Sequence, residues 1–379
     1  MKRNLSVMLK PSSSKCNLNC KYCFYHSIAN AREVEDYGFM KKETLEEIIE
    51  KIKIYCNGGQ CTIGVQGGEP LLREIDFYRD LLKYVNESGN NGTTFRYSIQ
   101  TNGTLITEEW ARFFKKNNIL VGISLDGSKD IHNLNRLDYS GKGSFIDVVK
   151  GIKLLQKYDV EFNILVVVTP IVVRKIESCY NFFKKNGLRY LQFIPCLDSF
   201  ESKEDGIENK FSLTSKEYTV FLIKLFDLWY ADVVNDDFVS IRYFDNILGL
   251  FLGHNYEACD MNGRCSCQHI IESDGSVYPC DFYTYEKHSI GNVLNETFDN
   301  MHNKECTKNF ILESFNISKK CRQCKFYSVC RGGCKRYREN QKDNLNYLCD
   351  SYYQFFDYSL DKFKKITSMI NVYNKNRAD

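Results

Sequence analysis

Three cysteines near the start of the chain have a spacing that suits a metal cluster. Cys16, Cys20 and Cys23 form a Cys-x3-Cys-x2-Cys run. Soft thiolate ligands suit iron–sulfur clusters or zinc. Three thiolates on one short loop can hold three irons of a [4Fe–4S] cube, which leaves the fourth iron free to bind a substrate or a cofactor. The alternative is a partial zinc site with His26 as its fourth ligand.

A second set of cysteines lies in the last third of the chain. With Cys267 and Cys306 set aside, the spacing is Cys259-x5-Cys265-x14-Cys280, then Cys321-x2-Cys324-x5-Cys330-x3-Cys334-x14-Cys349. These eight thiols are enough for two sites of four. Structural zinc ribbons are the alternative to iron–sulfur sites at this point, because Cys-x2-Cys knuckles are typical of ribbons.

Composition excludes several classes of protein. The 379 residues allow two domains, and 43% hydrophobic with 26% charged residues is typical of a folded globular chain. A net charge of +3 gives no global attraction to nucleic acid or to an anionic membrane. No secretory signal or membrane-length apolar run is visible. We therefore expect a cytoplasmic protein whose clustered cysteines bind metal rather than form disulfides.

The elements that must position the first cysteines alternate between strands and helices. Runs rich in β-branched and aromatic residues predict strands, and apolar residues at helical spacing predict helices. The predicted strands are 5–9, 62–66, 95–101, 121–126, 162–169 and 190–195, and the predicted helices are 42–55, 75–86, 108–117, 145–158 and 174–186. This order predicts an α/β fold with a parallel sheet, a partial (β/α)6 barrel. Polar turns at 66–70, 100–103, 124–127 and 195–198 follow strands, where parallel α/β folds collect their chemistry.

The chain changes character after a long predicted helix at 215–234. The sequence from Cys259 onward is rich in cysteine and loops. We place a domain boundary between residues 240 and 241, which gives domains 1–240 and 241–379. Apolar residues at helical spacing in 350–371 predict a closing amphipathic helix.

The motifs of the first domain together resemble the radical S-adenosylmethionine (SAM) enzymes. The Cys16–Cys23 run follows the first strand, and Gln66-Gly67-Gly68-Glu69-Pro70 follows the second, as in that family. The resemblance implies that Cys16, Cys20 and Cys23 bind a [4Fe–4S] cluster. It also implies a SAM site in which Gly67, Gly68 and Glu69 hold the amino group, Tyr22 lies beside the adenine, Ser124 and Arg136 contact the ribose and carboxylate, and Leu197 lines the pocket. A surface role for Arg136 and a core role for Leu197 are the alternatives.

The second set of cysteines resembles the SPASM extension of radical SAM maturases. That resemblance implies two auxiliary [4Fe–4S] clusters and therefore three in all. By the same resemblance the first takes Cys259, Cys265, Cys280 and Cys334, and the second takes Cys321, Cys324, Cys330 and Cys349. Cys267 could replace Cys265 as a ligand, although the spacings favour Cys265.

The segment Val277-Tyr278-Pro279-Cys280-Asp281-Phe282-Tyr283 resembles the anaerobic sulfatase-maturating enzymes, and so does the rest of the chain. The resemblance implies oxidation of a Cys or Ser in a Cys/Ser-x-Pro/Ala-x-Arg segment of a nascent or unfolded sulfatase to Cα-formylglycine. Asp281 is then the general base, and a surface or turn aspartate is the alternative. A one-electron donor such as a flavodoxin or ferredoxin is an expected partner, and we expect a monomer.

Two other functions remain as alternatives. A different SPASM peptide maturase that forms a thioether or carbon–carbon crosslink would share all three clusters, yet no dedicated peptide-recognition domain precedes Cys16. A zinc-rich binding or scaffold protein would need neither Glu69 nor Arg136.

Overall fold

The computed structural model describes residues 1–87, 91–197 and 211–378, with side chains to residue 371. Its strands are β1 (Asn4–Leu9), β2 (Gln60–Val65), β3 (Thr94–Thr101), β4 (Ile119–Ser124), β5 (Phe162–Val168), β6 (Tyr190–Pro195), β7 (Ser240–Ile241), β8 (Ile270–Ile271), β9 (Ser276–Tyr278) and β10 (Gly291–Asn292). Residue 198, the last of the polar turn predicted at 195–198, lies outside the described residues.

The helices alternate with the first six strands and then dominate the rest of the chain. They are α1 (Phe24–Asn30), α2 (Lys42–Cys56), α3 (Glu74–Glu87), α4 (Glu108–Lys116), α5 (Lys129–His132), α6 (Phe145–Lys157), α7 (Pro170–Arg174), α8 (Ile176–Lys185), α9 (Ser215–Val234), α10 (Arg242–Phe251), α11 (Phe298–Asn303), α12 (Glu305–Glu313), α13 (Lys319–Arg322), α14 (Tyr327–Cys330) and α15 (Cys349–Ala378). Short 3₁₀ helices are found at Pro70–Arg73, Cys259–Met261, Asp281–Tyr283, Glu286–His288, Lys335–Tyr337 and Lys342–Asn344.

The first six strands form a parallel sheet in sequence order, and this confirms the predicted partial barrel. Each strand pairs with the next one along the chain, from β1–β2 to β5–β6. Alternate residues of β1, namely Leu5, Val7 and Leu9, point into the core against the helices. Because the strands are parallel, all six carboxyl ends meet at one edge, where the predicted polar turns lie.

The sheet extends beyond the six predicted strands on both sides. The described residues form a ten-stranded sheet in the order β10-β9-β8-β1-β2-β3-β4-β5-β6-β7. The C-terminal strand β8 pairs in parallel with β1, β9 pairs antiparallel with β8, and β10 pairs antiparallel with β9. Strands of two or three residues carry no readable alternation, so the sequence did not reveal them. This pairing brings the segment after β9 to the end of β1.

The helix predicted at 174–186 is α8, which starts two residues later, and a short helix that was not predicted, α7, lies directly before it. Helix α7 begins at Pro170, a residue favoured in the first turn of a helix because its missing N–H is not needed there. Lys175 has φ −115° and ψ 18° and separates α7 from α8. The break therefore lies inside the apolar pattern that predicted one helix.

The closing helix is longer than predicted and packs on both α9 and α10. It starts at Cys349, and its aromatic residues meet those of α9 and α10. The rings of Phe226 and Phe363 lie 4.9 Å apart, and those of Phe244 and Phe355 lie 5.8 Å apart. Among the described residues, no helix combines the length and the apolar character that a membrane span requires.

Candidate active site

The loop with the first three cysteines crosses the carboxyl ends of the strands. It leaves β1 at Leu9 and enters α1 at Phe24, and the Asn19 N–H donates to the Leu137 carbonyl at 2.7 Å. Burial raises the pKa of Cys16 to about 12 and that of Cys20 to about 11, and the neighbouring thiols add to both shifts. Half-buried thiols that raise one another's pKa lie close together, and metal displaces their protons when it binds. This donor set fits an iron–sulfur cluster.

The turn after β2 brings a buried carboxylate beside this loop. Gly68 has φ +36°, and a Cβ there would lie 2.1 Å from the Lys15 carbonyl oxygen, so only glycine allows the close approach. The Glu69 N–H donates to that same carbonyl at 2.7 Å. Its fully buried carboxylate accepts hydrogen bonds from the Leu71 N–H at 3.0 Å and the Thr101 hydroxyl at 2.6 Å. Burial raises the pKa of Glu69 to about 7.

The other residues predicted to contact SAM lie along the same edge. Ser124 ends β4, Leu197 follows β6 and is half-buried, and Arg136 follows α5 and is buried. The Arg136 guanidinium lies over the Tyr22 ring at 5.4 Å from its centre. Both side chains bind Asp126. The sequence indicated this residue only as part of the polar turn at 124–127.

The general base predicted from resemblance lies at the seam between the two parts of the sheet. Asp281 follows Cys280 just beyond β9, and its side chain is 15% exposed. The Tyr25 hydroxyl donates to its Oδ2 at 2.5 Å, and the Lys10 ammonium lies 2.9 Å from its Oδ1. These two partners of the carboxylate both lie in the first 25 residues of the chain, far from Asp281 in sequence.

Sequence reasoning missed the charges that surround Asp281. Lys10 is buried at the end of β1, 3.7 Å from Glu272, and Arg32 pairs with Glu272 at 2.8 Å. Two cations thus face two carboxylates in a buried cluster that joins β1 and α1 to the hairpin of β8 and β9. In the sequence, the one indication of a role for Lys10 is its place as a charged residue directly after a buried strand.

The C-terminal thiols form two groups of four. Burial raises the pKa of Cys280, and Cys334 and Cys259 add to the shift, while Cys334 is itself influenced by Cys265. Burial raises the pKa of Cys330 to about 12, and three neighbouring thiols add to the shift. These are Cys349, Cys321 and Cys324. The structure therefore interleaves two distant stretches of chain.

Cys267 stands apart from both groups. Burial raises its pKa to about 11, and the neighbouring thiol is that of Cys306 rather than a member of either group of four. In the described part of the chain, no three His, Cys, Asp or Glu side chains are close enough to hold one metal ion. A cube with one iron per thiolate separates its ligands more widely than a single zinc ion at about 2.3 Å from each sulfur. Two groups of four thiols are the donor set that two [4Fe–4S] cubes require.

Comparison with known proteins identifies the family. The radical SAM superfamily model matches residues 11–183, and the model of the SPASM iron–sulfur cluster-binding domain matches residues 259–325. The chain is 47% identical to a cysteine-type anaerobic sulfatase-maturating enzyme of Clostridium novyi, over 97% of this chain and 98% of that one. The chain belongs to the anaerobic sulfatase-maturating enzymes. As a radical SAM protein it binds SAM and a [4Fe–4S] cluster, and its SPASM domain binds further clusters.

Other anaerobic sulfatase-maturating enzymes are also similar to this chain. A cysteine-type enzyme of Clostridium perfringens is 44% identical over 97% of this chain and 99% of that one. A serine-type enzyme of Bacteroides thetaiotaomicron is 34% identical over 93% of this chain and 89% of that one. Solved structures of anSMEcpe agree closely with the fold. The one with bound SAM gives a TM-score of 0.92 at 42% identity, covering 97% of this chain and 96% of that one. The one with SAM and the Cp18Cys peptide gives 0.91 at 42%, covering 97% and 100%.

Proposed function

We propose that this enzyme oxidises a cysteine of a sulfatase polypeptide to Cα-formylglycine. The observation that carries the proposal is the position of Asp281. Its carboxylate is hydrogen-bonded by Tyr25, paired with Lys10 and adjacent to Cys280, at the edge of the sheet where the SAM-cluster loop lies. The proposed base thus lies beside a proposed cluster ligand, and its partner Tyr25 follows directly after the cysteine loop.

We propose that each cofactor is held by the residues that the motifs single out. Cys16, Cys20 and Cys23 hold the SAM cluster. The proposed SAM contacts are Tyr22, Gly67, Gly68, Glu69, Ser124, Arg136 and Leu197. The auxiliary clusters take Cys259, Cys265, Cys280 and Cys334, and Cys321, Cys324, Cys330 and Cys349. With SAM and the clusters bound at these residues, the cofactors would supply the radical that takes one hydrogen atom from the substrate Cβ and an acceptor for one electron.

The chain itself supplies the proton acceptor. Conversion of CH2–SH to CH=S removes two electrons and two protons, and Asp281 takes the thiol proton. Tyr25 and Lys10 hold its two oxygens from different directions, which fixes the carboxylate before the substrate arrives. Water then replaces sulfur, and the products are the aldehyde and hydrogen sulfide.

We favour cysteine over serine as the substrate residue. Cysteine-type relatives are 44–47% identical to this chain, whereas the serine-type relative from Bacteroides thetaiotaomicron is 34% identical. The serine-type relatives from Klebsiella are 28% identical. The gradient supports a cysteine preference.

One incubation tests the function. Anaerobically reconstituted enzyme is mixed with SAM, a reductant and a peptide that contains Cys-x-Pro-x-Arg. Formylglycine from cysteine lowers the peptide mass by about 18 Da, whereas a crosslink lowers it by about 2 Da, by the atom balance of each oxidation. A matched Ser-x-Pro-x-Arg peptide should lose about 2 Da by the same oxidation, at a lower rate than the cysteine peptide reacts. A cysteine product about 2 Da lighter would overturn the proposal in favour of a crosslinking maturase.

We also propose the setting in which the enzyme works. An external one-electron donor such as a flavodoxin or ferredoxin supplies electrons to a cytoplasmic monomer. The chain divides into a barrel domain, 1–240, and a SPASM domain, 241–379, although the second contributes β8, β9 and β10 to the sheet of the first. Sedimentation of the reconstituted protein tests the monomer directly.

A further inference from the structure

A buried aspartate between β4 and α5 joins three separate segments of the barrel. The Asp126 carboxylate is 2% exposed and accepts hydrogen bonds from the Tyr22 hydroxyl, the Arg136 guanidinium and the Val167 N–H. The Arg136 Nε lies 3.0 Å away, its Nη2 3.3 Å away, and the Val167 nitrogen 3.0 Å away. One side chain thus connects the cysteine loop, the segment after α5 and the carboxyl end of β5.

The two side chains that Asp126 holds are those proposed to meet SAM. Tyr22 lies between Cys20 and Cys23, and Arg136 lies over its ring. Asp126 engages Nε and Nη2 of Arg136, and the guanidinium also contacts the Cys20 thiol in the cysteine loop. A guanidinium fixed by these contacts can present its remaining N–H groups to a ligand carboxylate in a defined orientation.

The pair is charged, and burial makes that costly. Burial alone would raise the pKa of Asp126, but the Arg136 guanidinium beside it brings the pKa below its ordinary value. Burial lowers the pKa of His132 to about 4, so the imidazole is neutral near pH 7. The cluster therefore holds one negative and one positive side chain. Because a buried ion pair is a poor source of stability, its presence points to orientation rather than to folding.

We propose that Asp126 is a positioning residue for SAM, which sets Arg136 for the carboxylate and Tyr22 for the adenine before the cofactor arrives. The inference rests on the SAM contacts proposed above for those two residues. Asp126 itself does not contact the reacting atoms. Because Tyr22 belongs to the cysteine loop, the same carboxylate fixes the cluster loop relative to the SAM carboxylate.

Binding without turnover tests this role. The affinity of reconstituted Asp126→Asn enzyme is measured without reductant for SAM, S-adenosylhomocysteine and 5′-methylthioadenosine, which lacks the amino-acid part. Loss of an oriented charge-assisted contact is expected to weaken SAM and S-adenosylhomocysteine by about 10- to 100-fold. Methylthioadenosine should weaken less, because only the Tyr22 side of the site is disturbed. Unchanged or tighter SAM binding would overturn the proposal, since Asp126 would then merely neutralise Arg136.

Three further variants keep the test decisive. Asp130→Asn removes an exposed carboxylate from α5 and should leave all three affinities unchanged. Asp126→Glu keeps the charge but moves it by one methylene, so its SAM affinity should stay below that of the wild-type enzyme. Wild-type SAM affinity in Asp126→Glu would show that the charge matters and its position does not, which would contradict the positioning role. If Asp126→Asn fails to fold, Tyr22→Phe is used instead, because it removes only the contact between Tyr22 and Asp126. An unchanged methylthioadenosine affinity in Tyr22→Phe would contradict the proposal. No peptide is used, so the result is independent of the proposed product.

Discussion

The two cysteine regions of this enzyme differ in how the chain brings their thiols together. Cys16, Cys20 and Cys23 lie within one loop, so their spacing along the chain already sets their separation. The C-terminal groups draw on residues from Cys259 to Cys349 and interleave, because Cys280 lies beside Cys334 and Cys330 lies beside Cys349. A cluster held by one loop can serve chemistry alone, whereas interleaved clusters also hold a domain together.

The strongest test of this difference removes the first region entirely. Replacement of Cys16, Cys20 and Cys23 by Ala should abolish SAM cleavage, because the loop retains no thiolate. Eight of about twelve irons should remain, as expected for two intact cubes. The melting temperature should change little. Iron analysis, deoxyadenosine production and a thermal scan check these outcomes, and any residual deoxyadenosine would show that other residues hold the cluster.

A variant at the seam between the two regions should separate SAM cleavage from product formation. Asp281→Asn keeps size and polarity but removes the base. Formylglycine should fall by about 10²-fold or more, while deoxyadenosine forms in part and still gains deuterium from a Cβ-labelled substrate. Asp274→Asn is the matched control, because that carboxylate lies in the same hairpin and bonds Ser276. Wild-type yield from Asp281→Asn would refute the catalytic role.

The SAM pocket of the first region should respond to pH. Burial raises the pKa of Glu69 to about 7, so the carboxyl is neutral below that pH and charged above it. The SAM amino group needs the charged form, so affinity should rise as pH increases. Between pH 6 and 7.5 the gain should be about eightfold, and SAM binding should release protons. Glu69→Gln cannot titrate and should bind more weakly with a flat profile. If the SAM affinity of Glu69→Gln rose with pH as steeply as that of the wild-type enzyme, Glu69 would be excluded as the source of the pH dependence.

The smallest expected effect is a difference in iron content between variants of Cys265 and Cys267, two neighbouring cysteines of the second region. Cys265→Ser should remove about four of twelve irons, the content of one cube, and lower the melting temperature, because that group joins distant loops. Cys267→Ser should keep all the iron, since its thiol lies beside Cys306 and outside both groups. Iron and sulfide analysis of the two variants side by side makes the comparison. Iron loss in Cys267→Ser alone would reverse the assignment.

The sequence by itself determined whatever depends on neighbouring residues. The bounds of β6 and α9 match the prediction at both ends, because β-branched and aromatic runs and helical spacing are local patterns. The loop of the first three cysteines and the Gly67-Gly68-Glu69 turn are local as well. For that reason local motifs predict a SAM site, whereas no local motif predicts that Asp126 binds Tyr22 and Arg136.

Only the tertiary structure decided which distant segments meet. Tyr25 reaches Asp281 across 256 residues of chain, and Arg32 reaches Glu272 across 240. The parallel pairing of β8 with β1 creates both contacts, and a two-residue strand leaves no periodic signal in the sequence. Lys10 became part of the site in the same way. Contacts of this kind arise from packing and charge balance in three dimensions, and no spacing along the chain encodes them.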